Sequence, residues 1–195
     1  MDDLPRGKFG AILVDPPWHF KVWSFSDKSI AKQHYNTMDI EDIYRLSVKD
    51  VAAKDCVLFI WVIWPMLEHG LKAIETWGFK YKTCAFAWMK TRANGNLAMG
   101  TGYWTRANTE TCLLATKGHP KRINTDVMQA ILDERREHSR KPDCIHERIE
   151  RLVAGPYLEL FARQTRPGWI SWGNEVNKFD QGQQCLSLSR AYPSP

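Results

Sequence analysis

Apolar, β-branched and aromatic residues gather along this chain in short runs at 9–14, 56–64, 80–89, 109–116, 157–162 and 169–172. Runs of this length, bounded by Gly, Pro or polar clusters, predict strands of a largely buried sheet. Between them lie stretches with helical spacing. Asp39-Ile40-Glu41-Asp42 reads as a helix start with acidic residues in its first turn, and Ile43, Leu46 and Val51 are predicted to face the core. Pro65 opens a second helix that Gly78 follows, striped by Leu67, Leu71 and Ile74. Pro142 opens a third, through Arg151, with Ile145, Ile149 and Leu152 on one face. Residues 19–38 have no sustained period and read as a site loop. Residues 91–108, rich in Gly, Asn and Thr, read as a long functional loop. Residues 119–141 mix basic side chains with one weakly amphipathic stretch, Val127-Met128 and Ala130-Ile131-Leu132. Strands alternating with helices predict a doubly wound α/β sheet in a single domain over 1–179, followed by a disordered tail over 180–195.

The most informative segment closes the first strand. Asp15-Pro16-Pro17-Trp18 follows the apolar run 9–14. Proline cannot donate to a ladder, so Pro16 and Pro17 end the strand and hold an acidic residue at its carboxyl end, where open α/β sheets bind ligands. This set suits holding the exocyclic amine of a planar base. The Asp15 carboxylate and the Pro16 carbonyl can each accept one amine N–H. That frees the nitrogen lone pair to face an electrophile, while Trp18 offers a stacking face.

Composition narrows the class. A chain of 195 residues with 44% hydrophobic and 12% aromatic content is a globular domain with a sizeable core. A net charge of +5 permits nucleic-acid binding through phosphate contacts. Lys117, Lys121, Arg122, Arg135, Arg136, Arg140 and Lys141 concentrate that charge in one stretch. Five cysteines, at 56, 84, 112, 144 and 185, show no metal-ligand spacing and suit a reducing compartment. No metal is expected. The N-terminus reads without a signal peptide, and the apolar run 57–67 contains Pro65 and is too short to span a bilayer.

Further motifs lie at definite positions: Gly7-Lys8-Phe9, Tyr35-Asn36-Thr37-Met38, Leu58-Phe59-Ile60-Trp61-Val62, Trp88-Met89-Lys90-Thr91, Glu110-Thr111-Cys112-Leu113, Lys141-Pro142-Asp143, Glu159-Leu160-Phe161-Ala162-Arg163 and Trp172-Gly173-Asn174-Glu175. In this order, with the Asp-Pro-Pro-Trp motif before them, they resemble the MT-A70 family of adenine-N6 methyltransferases over residues 7–177. The resemblance implies a Rossmann-like S-adenosylmethionine-dependent methyltransferase fold. Its motif order is circularly permuted, with Asp-Pro-Pro-Trp ahead of the cofactor strand 158–162, and this accounts for the missing glycine-rich fingerprint. It implies that Asp15, Lys141, Arg163, Asn174 and Glu175 contact S-adenosylmethionine: Lys141 at the carboxylate, Arg163 near the ribose, and Asn174 with Glu175 at the adenosine half. Tyr35 matches a tyrosine near the target base.

Two departures accompany the resemblance. A segment upstream of the motif that contacts the cofactor adenine in eukaryotic relatives is expected to be missing or replaced. A His-Asn pair after the cofactor arginine is replaced by Gln164-Thr165-Arg166.

The reading this implies is methylation of adenine N6 in nucleic acid, with DNA preferred over RNA because the chain reads as a bare catalytic core. Asp15, Pro16, Pro17 and Trp18 form the catalytic motif. Asn108 and Glu110, beside the long loop, are expected at the substrate or a second subunit, and Arg135, Arg136 and Arg140 at phosphates. Family members work as pairs, so a homodimer, or a heterodimer with a related subunit, is expected, in the cytoplasm and away from membranes. RNA methylation is the alternative. A non-catalytic partner subunit is disfavoured by the intact motif, and a cytosine-N4 enzyme by the acidic residue at its head.

Overall fold

A computed structural model gives the structure of the protein, describing residues 3–19, 38–100, 102, 104–137 and 139–179. Seven strands form one sheet: β1 (Phe9–Val14), β2 (Ala52–Val62), β3 (Lys80–Thr91), β4 (Thr109–Lys117), β5 (Ala130–Glu134), β6 (Tyr157–Leu160) and β7 (Trp169–Trp172). Their order across the sheet is β5-β3-β4-β2-β1-β6-β7. All pair in parallel except β4, which runs antiparallel to β2 and β3. The helices are α1 (Ile40–Arg45), α2 (Val48–Val51), α3 (Leu67–Thr76) and α4 (Cys144–Leu152).

The central strands are apolar on both faces because both faces are covered. Along β1 and β2 the side chains divide by parity. Ile12, Val14, Leu58, Ile60 and Val62 join a core with Ile43 of α1 and Ala73 and Ile74 of α3. Ala11, Leu13, Val57, Phe59 and Trp61 join a second core with Ile145 and Ile149 of α4. A period of two in the backbone thus feeds two hydrophobic layers from one run.

Most predicted elements are present, with some changes. The segment 130–134, within the stretch read only as weakly amphipathic, is a strand, β5. It pairs with β3 from Ala87↔Ala130 to Thr91↔Glu134, burying Ile131 while leaving Leu132 exposed. The pattern of one buried and one exposed apolar residue is that of an edge strand, and five residues are too few to reveal it by period. On α3 the inward positions are Gly70, Ala73 and Ile74, and Leu71 is exposed. Gly70 sits where a Cβ would collide with Val62, so a residue without a side chain brings α3 close to β2. Pro65 lies in a 3₁₀ turn, Trp64–Met66, ahead of α3, and Pro142 lies just before α4, whose first helical residue is Cys144. Residues 180–195, read as a tail, lie outside the described residues.

Parallel pairing brings the carboxyl ends of β1, β6 and β7 together. Val14 pairs with Ile60 and Leu160, and Leu160 pairs with Trp172. One residue further along each strand stand Asp15, Trp61, Phe161 and Gly173. The antiparallel β4 contributes its amino end to the same edge, which brings Glu110 there.

Candidate active site

Asp15 lies just beyond β1, and its backbone N–H donates to the Leu160 carbonyl at 3.4 Å. Its carboxylate is half-buried. Lys141 Nζ, arriving from the segment before α4, donates to both of its oxygens at 2.7 and 2.8 Å. The Arg163 guanidinium stands 3.6 Å from one of those oxygens. Arg163 gets there because Phe161 turns the chain sharply at the end of β6. Phe161 adopts φ +62°, a left-handed conformation uncommon for a side chain of this size. The turn returns the backbone to β7, where Ala162 N–H donates to the Trp172 carbonyl at 3.0 Å, and Arg163 reaches the Ser139 carbonyl. Gly173 packs against this turn, where a Cβ would lie 2.9 Å from the Ala162 carbonyl oxygen.

Lys141 is a hub. Its Nζ also lies 3.4 Å from Glu110 Oε2 and 5.6 Å from the centre of the Trp61 ring. Glu110 Oε1 is held by Lys90 of the neighbouring strand β3. Four charged side chains therefore form a chain, Asp15, Lys141, Glu110 and Lys90, along the sheet edge. Burial pushes the Lys141 ammonium down, but Asp15 and Glu110 outweigh it and hold it above the ordinary lysine range. Burial likewise pushes the Glu110 carboxyl up, and Lys141 with Lys90 outweighs it and holds it below the ordinary glutamate range.

A depressed folded pKa gives stability that is present above the unfolded value, about 4.3 for Glu, and is lost as pH falls through the lower folded value. The Lys141 contribution, from a raised pKa, is complete below about pH 10.4 and does not vary in that acidic window. Urea unfolding between about pH 7 and pH 3 should therefore lose stability below the glutamate range, and Glu110→Gln should flatten that part of the profile.

The predicted site residues fare differently. Trp18 is 5% exposed and packs in the core shared with α1 and α3, its indole N–H donating to the Trp61 carbonyl at 3.0 Å. Enclosed there, the ring ties the end of β1 to β2. The Pro16 carbonyl accepts the Trp18 backbone N–H at 2.8 Å, and a carbonyl keeps a second lone pair for another donor. The Pro17 carbonyl accepts from Met38 at 3.1 Å, closing the loop between them. Tyr35 lies outside the described residues. Glu110 is 8% exposed and fully paired, so its direct neighbours are lysines. The Asn108 carbonyl accepts the Lys90 backbone N–H at 2.9 Å. Asn174 is exposed after β7, and Glu175 pairs with Lys178 at 2.7 Å.

The basic stretch divides in the same way. Arg136 pairs with Asp143 and donates to the Lys141 carbonyl at 2.9 Å. Arg140 pairs with Glu137 at 3.2 Å and lies 4.9 Å from the centre of the Phe179 ring. These two arginines therefore brace the segment that carries Lys141. Arg135 alone of the three is exposed. Arg136→Ala should cost about 1 kcal/mol by removing a donor to the part-exposed Asp143 and to the Lys141 carbonyl, whereas Arg135→Ala should stay within about 0.5 kcal/mol, both read from urea midpoints.

Sequence reasoning missed a further pair. Glu159 of β6 accepts from, or shares a proton with, His146 Nε2 of α4 at 2.8 Å. His146 is 3% exposed, its ring packs edge-on against Trp169, and its Nδ1 has no partner among the described residues. The signal was present: an acidic residue between Leu158 and Leu160, both fully buried, needs a partner. Arg163 also stacks on Phe179, 5.2 Å from its centre.

These groups line a cleft at the carboxyl edge of the sheet, among them Asp15, Trp61, Lys141, Glu159, Phe161 and Arg163. Its donor set fits S-adenosylmethionine. Two cations can meet a carboxylate, two carboxylates can accept ammonium or hydroxyl hydrogens, and aromatic rings offer apolar walls. The four described cysteines are free thiols, Cys56 and Cys112 buried, and burial pushes the Cys56 thiol up to about 12. No described helix is long and apolar enough to cross a membrane.

Comparison with known proteins fits this geometry. The MT-A70 family model matches residues 9–175, from β1 to the residue after Asn174. The chain is similar to the Type II methyltransferase M.MunI of a Mycoplasma species, at 33% identity, over 89% of this chain and 80% of that one. It is similar to the human N(6)-adenosine-methyltransferase catalytic subunit METTL3, at 32% identity over 88% of this chain but 29% of that one. It is also similar to the N(6)-adenosine-methyltransferase MT-A70-like protein of Arabidopsis thaliana, at 34% identity over 88% of this chain and 24% of that one. The chain thus spans under a third of the length of these two eukaryotic relatives. With the family match running from β1, the strand that Asp15 follows, to Glu175, just past β7, the chain belongs to the MT-A70 family of adenine-N6 methyltransferases.

Proposed function

We propose that this protein methylates adenine N6 in DNA, using S-adenosylmethionine, with Asp15 orienting the amine. The observation that carries the reading is the half-buried Asp15 carboxylate at the carboxyl end of β1, held by Lys141 and flanked by Arg163. Lys141 and Arg163 would hold the cofactor carboxylate and ribose, and Asn174 and Glu175 the adenosine half. When bound, the cofactor supplies an electrophilic methyl group. Asp15 and the free lone pair of the Pro16 carbonyl accept the two amine hydrogens, so that the nitrogen lone pair is free to face the methyl donor's side of the cleft. Asp15 acts as an orienter more than as a base, because the amine becomes strongly acidic only after alkylation. The neighbouring order of β1 and β6 in the sheet, with β1 first in the chain, supports a circularly permuted motif order in one methyltransferase domain.

DNA is preferred because the relative that this chain covers over 80% of its length is named a Type II methyltransferase. RNA is the second reading, favoured by the similarity to proteins named N(6)-adenosine-methyltransferases. The intact Asp15-Pro16-Pro17-Trp18 speaks against a non-catalytic subunit. A reducing, cytoplasmic setting suits the free thiols. A homodimer, or a heterodimer with a related subunit, would extend the surface available to grip a polymer, and the exposed Arg135 would meet phosphate there. Incubating the purified protein with labelled S-adenosylmethionine and a panel of DNA and RNA, then digesting to nucleosides, should yield N6-methyladenine from DNA at a higher rate than from RNA. Label in another nucleoside, or in none, would refute the reading.

A further inference from the structure

We propose that Glu110 is a positioning residue: it is a second seat for the Lys141 ammonium, which moves onto it from Asp15 when a carboxylate-bearing ligand fills the cleft. The inference rests on the reading of the site as a methyltransferase centre.

Lys141 donates to both oxygens of Asp15, at 2.7 and 2.8 Å. A carboxylate gripped on both oxygens is poorly placed to accept an amine hydrogen in a defined direction. A shift of the ammonium frees one of them to accept in a defined direction. The ammonium is largely buried, and a buried ammonium cannot leave one acceptor unless another is waiting. Glu110 Oε2, 3.4 Å away, is that acceptor. Its seat is fixed, because Glu110 Oε1 is held by Lys90 and its backbone pairs with Trp88 across β3 and β4. The path is short and favourable. Lysine is a compact charge on a flexible stem, and the Trp61 ring, 5.6 Å from Nζ, presents a surface over which a cation can shift. Arg163, 3.6 Å from Asp15, repels the ammonium and can cover the carboxylate once Lys141 has moved. Glu110 itself is too buried and too fully paired to meet a nucleic acid directly, so its influence passes through Lys141.

The direct test is a pair of crystal structures of the full chain, free and with S-adenosylhomocysteine, after calorimetry has established binding. The expected result is a Lys141–Glu110 distance shortened to about 2.8 Å, an ordinary ion pair, with at least one Asp15 oxygen released. Unchanged two-oxygen contact with Asp15 in the complex would overturn the inference alone. Failure to bind S-adenosylhomocysteine at all would overturn the methyltransferase reading, and this inference with it.

Kinetics give a second test. Glu110→Gln should lower kcat at least about tenfold while leaving KM for the oligonucleotide and affinity for S-adenosylhomocysteine within about threefold. Glu110→Asp should recover part of the loss. Lys90→Gln/Glu110→Gln should be as slow as Glu110→Gln. If the double variant regains wild-type kcat, the loss came from a stranded Lys90 charge and the inference is wrong. Should the variants fail to fold, the crystal pair on the unaltered protein still decides.

Discussion

Asp15→Ala is expected to lose at least about a hundredfold in methyl transfer, the scale of removing one preorganised polar contact at a reacting centre. The carboxylate is the group at the end of β1 that can direct the amine, and Lys141 and Arg163 flank it. The same contacts mean that the variant is not silent in stability. Removing one partner of a largely buried pair leaves Lys141 with Glu110 as its one carboxylate beside the Ser139 oxygens at 3.5 Å, at an expected cost of about 3 kcal/mol. Asp15→Asn separates the two effects. It keeps the shape and one acceptor oxygen, so its melting temperature should fall less, while turnover should fall nearly as far. Single-turnover assays with labelled cofactor, run beside thermal unfolding, measure both. An Asp15→Asn enzyme with near-normal turnover would remove the orienting role.

Lys141→Met should weaken binding of S-adenosylhomocysteine by about 1–3 kcal/mol, or roughly fivefold to 150-fold. Methionine keeps most of the stem and removes the ammonium. The loss has two sources: the cofactor carboxylate loses a charged donor, and Asp15 and Glu110 face each other without the cation between them. Calorimetry at fixed pH reads the affinity. An unchanged value would place the cofactor carboxylate at Arg163 or elsewhere. Lys141→Arg should not rescue fully, because a planar fork cannot occupy a seat shaped around a compact ammonium between Asp15, Glu110 and Trp61.

Much of the fold was legible because buried parallel strands write themselves as apolar runs. β1, β4 and β7 fall at or within a residue of the predicted ranges, and prolines stand near the starts of α3 and α4. The misses share a cause. β5 is too short for its period to be read, and its status depends on pairing with β3, far away in sequence. The inward face of α3 is set by Gly70, a residue whose role is to be absent. Trp18 looked like a stacking platform because a tryptophan beside a site motif reads the same whether its ring faces a ligand or the core. Only the path of the chain beyond Pro17 decides, and it turns the ring inward to the Trp61 carbonyl. Arg136 and Arg140 looked like phosphate ligands because a run of basic residues does not reveal that Asp143 and Glu137 stand opposite.

By itself the sequence determined the family, the α/β class, and the acidic residue at the end of a buried strand, since these depend on local order and periodicity. The tertiary structure decided which charges meet. Lys141 is 126 positions from Asp15, and Lys90 is 20 from Glu110. Their contact follows from β4 running antiparallel in an otherwise parallel sheet, which carries its amino end to the edge where the other strands finish. Coulomb attraction acts through space and not along the chain, so a network of this kind leaves no spacing for a reader of the sequence to find.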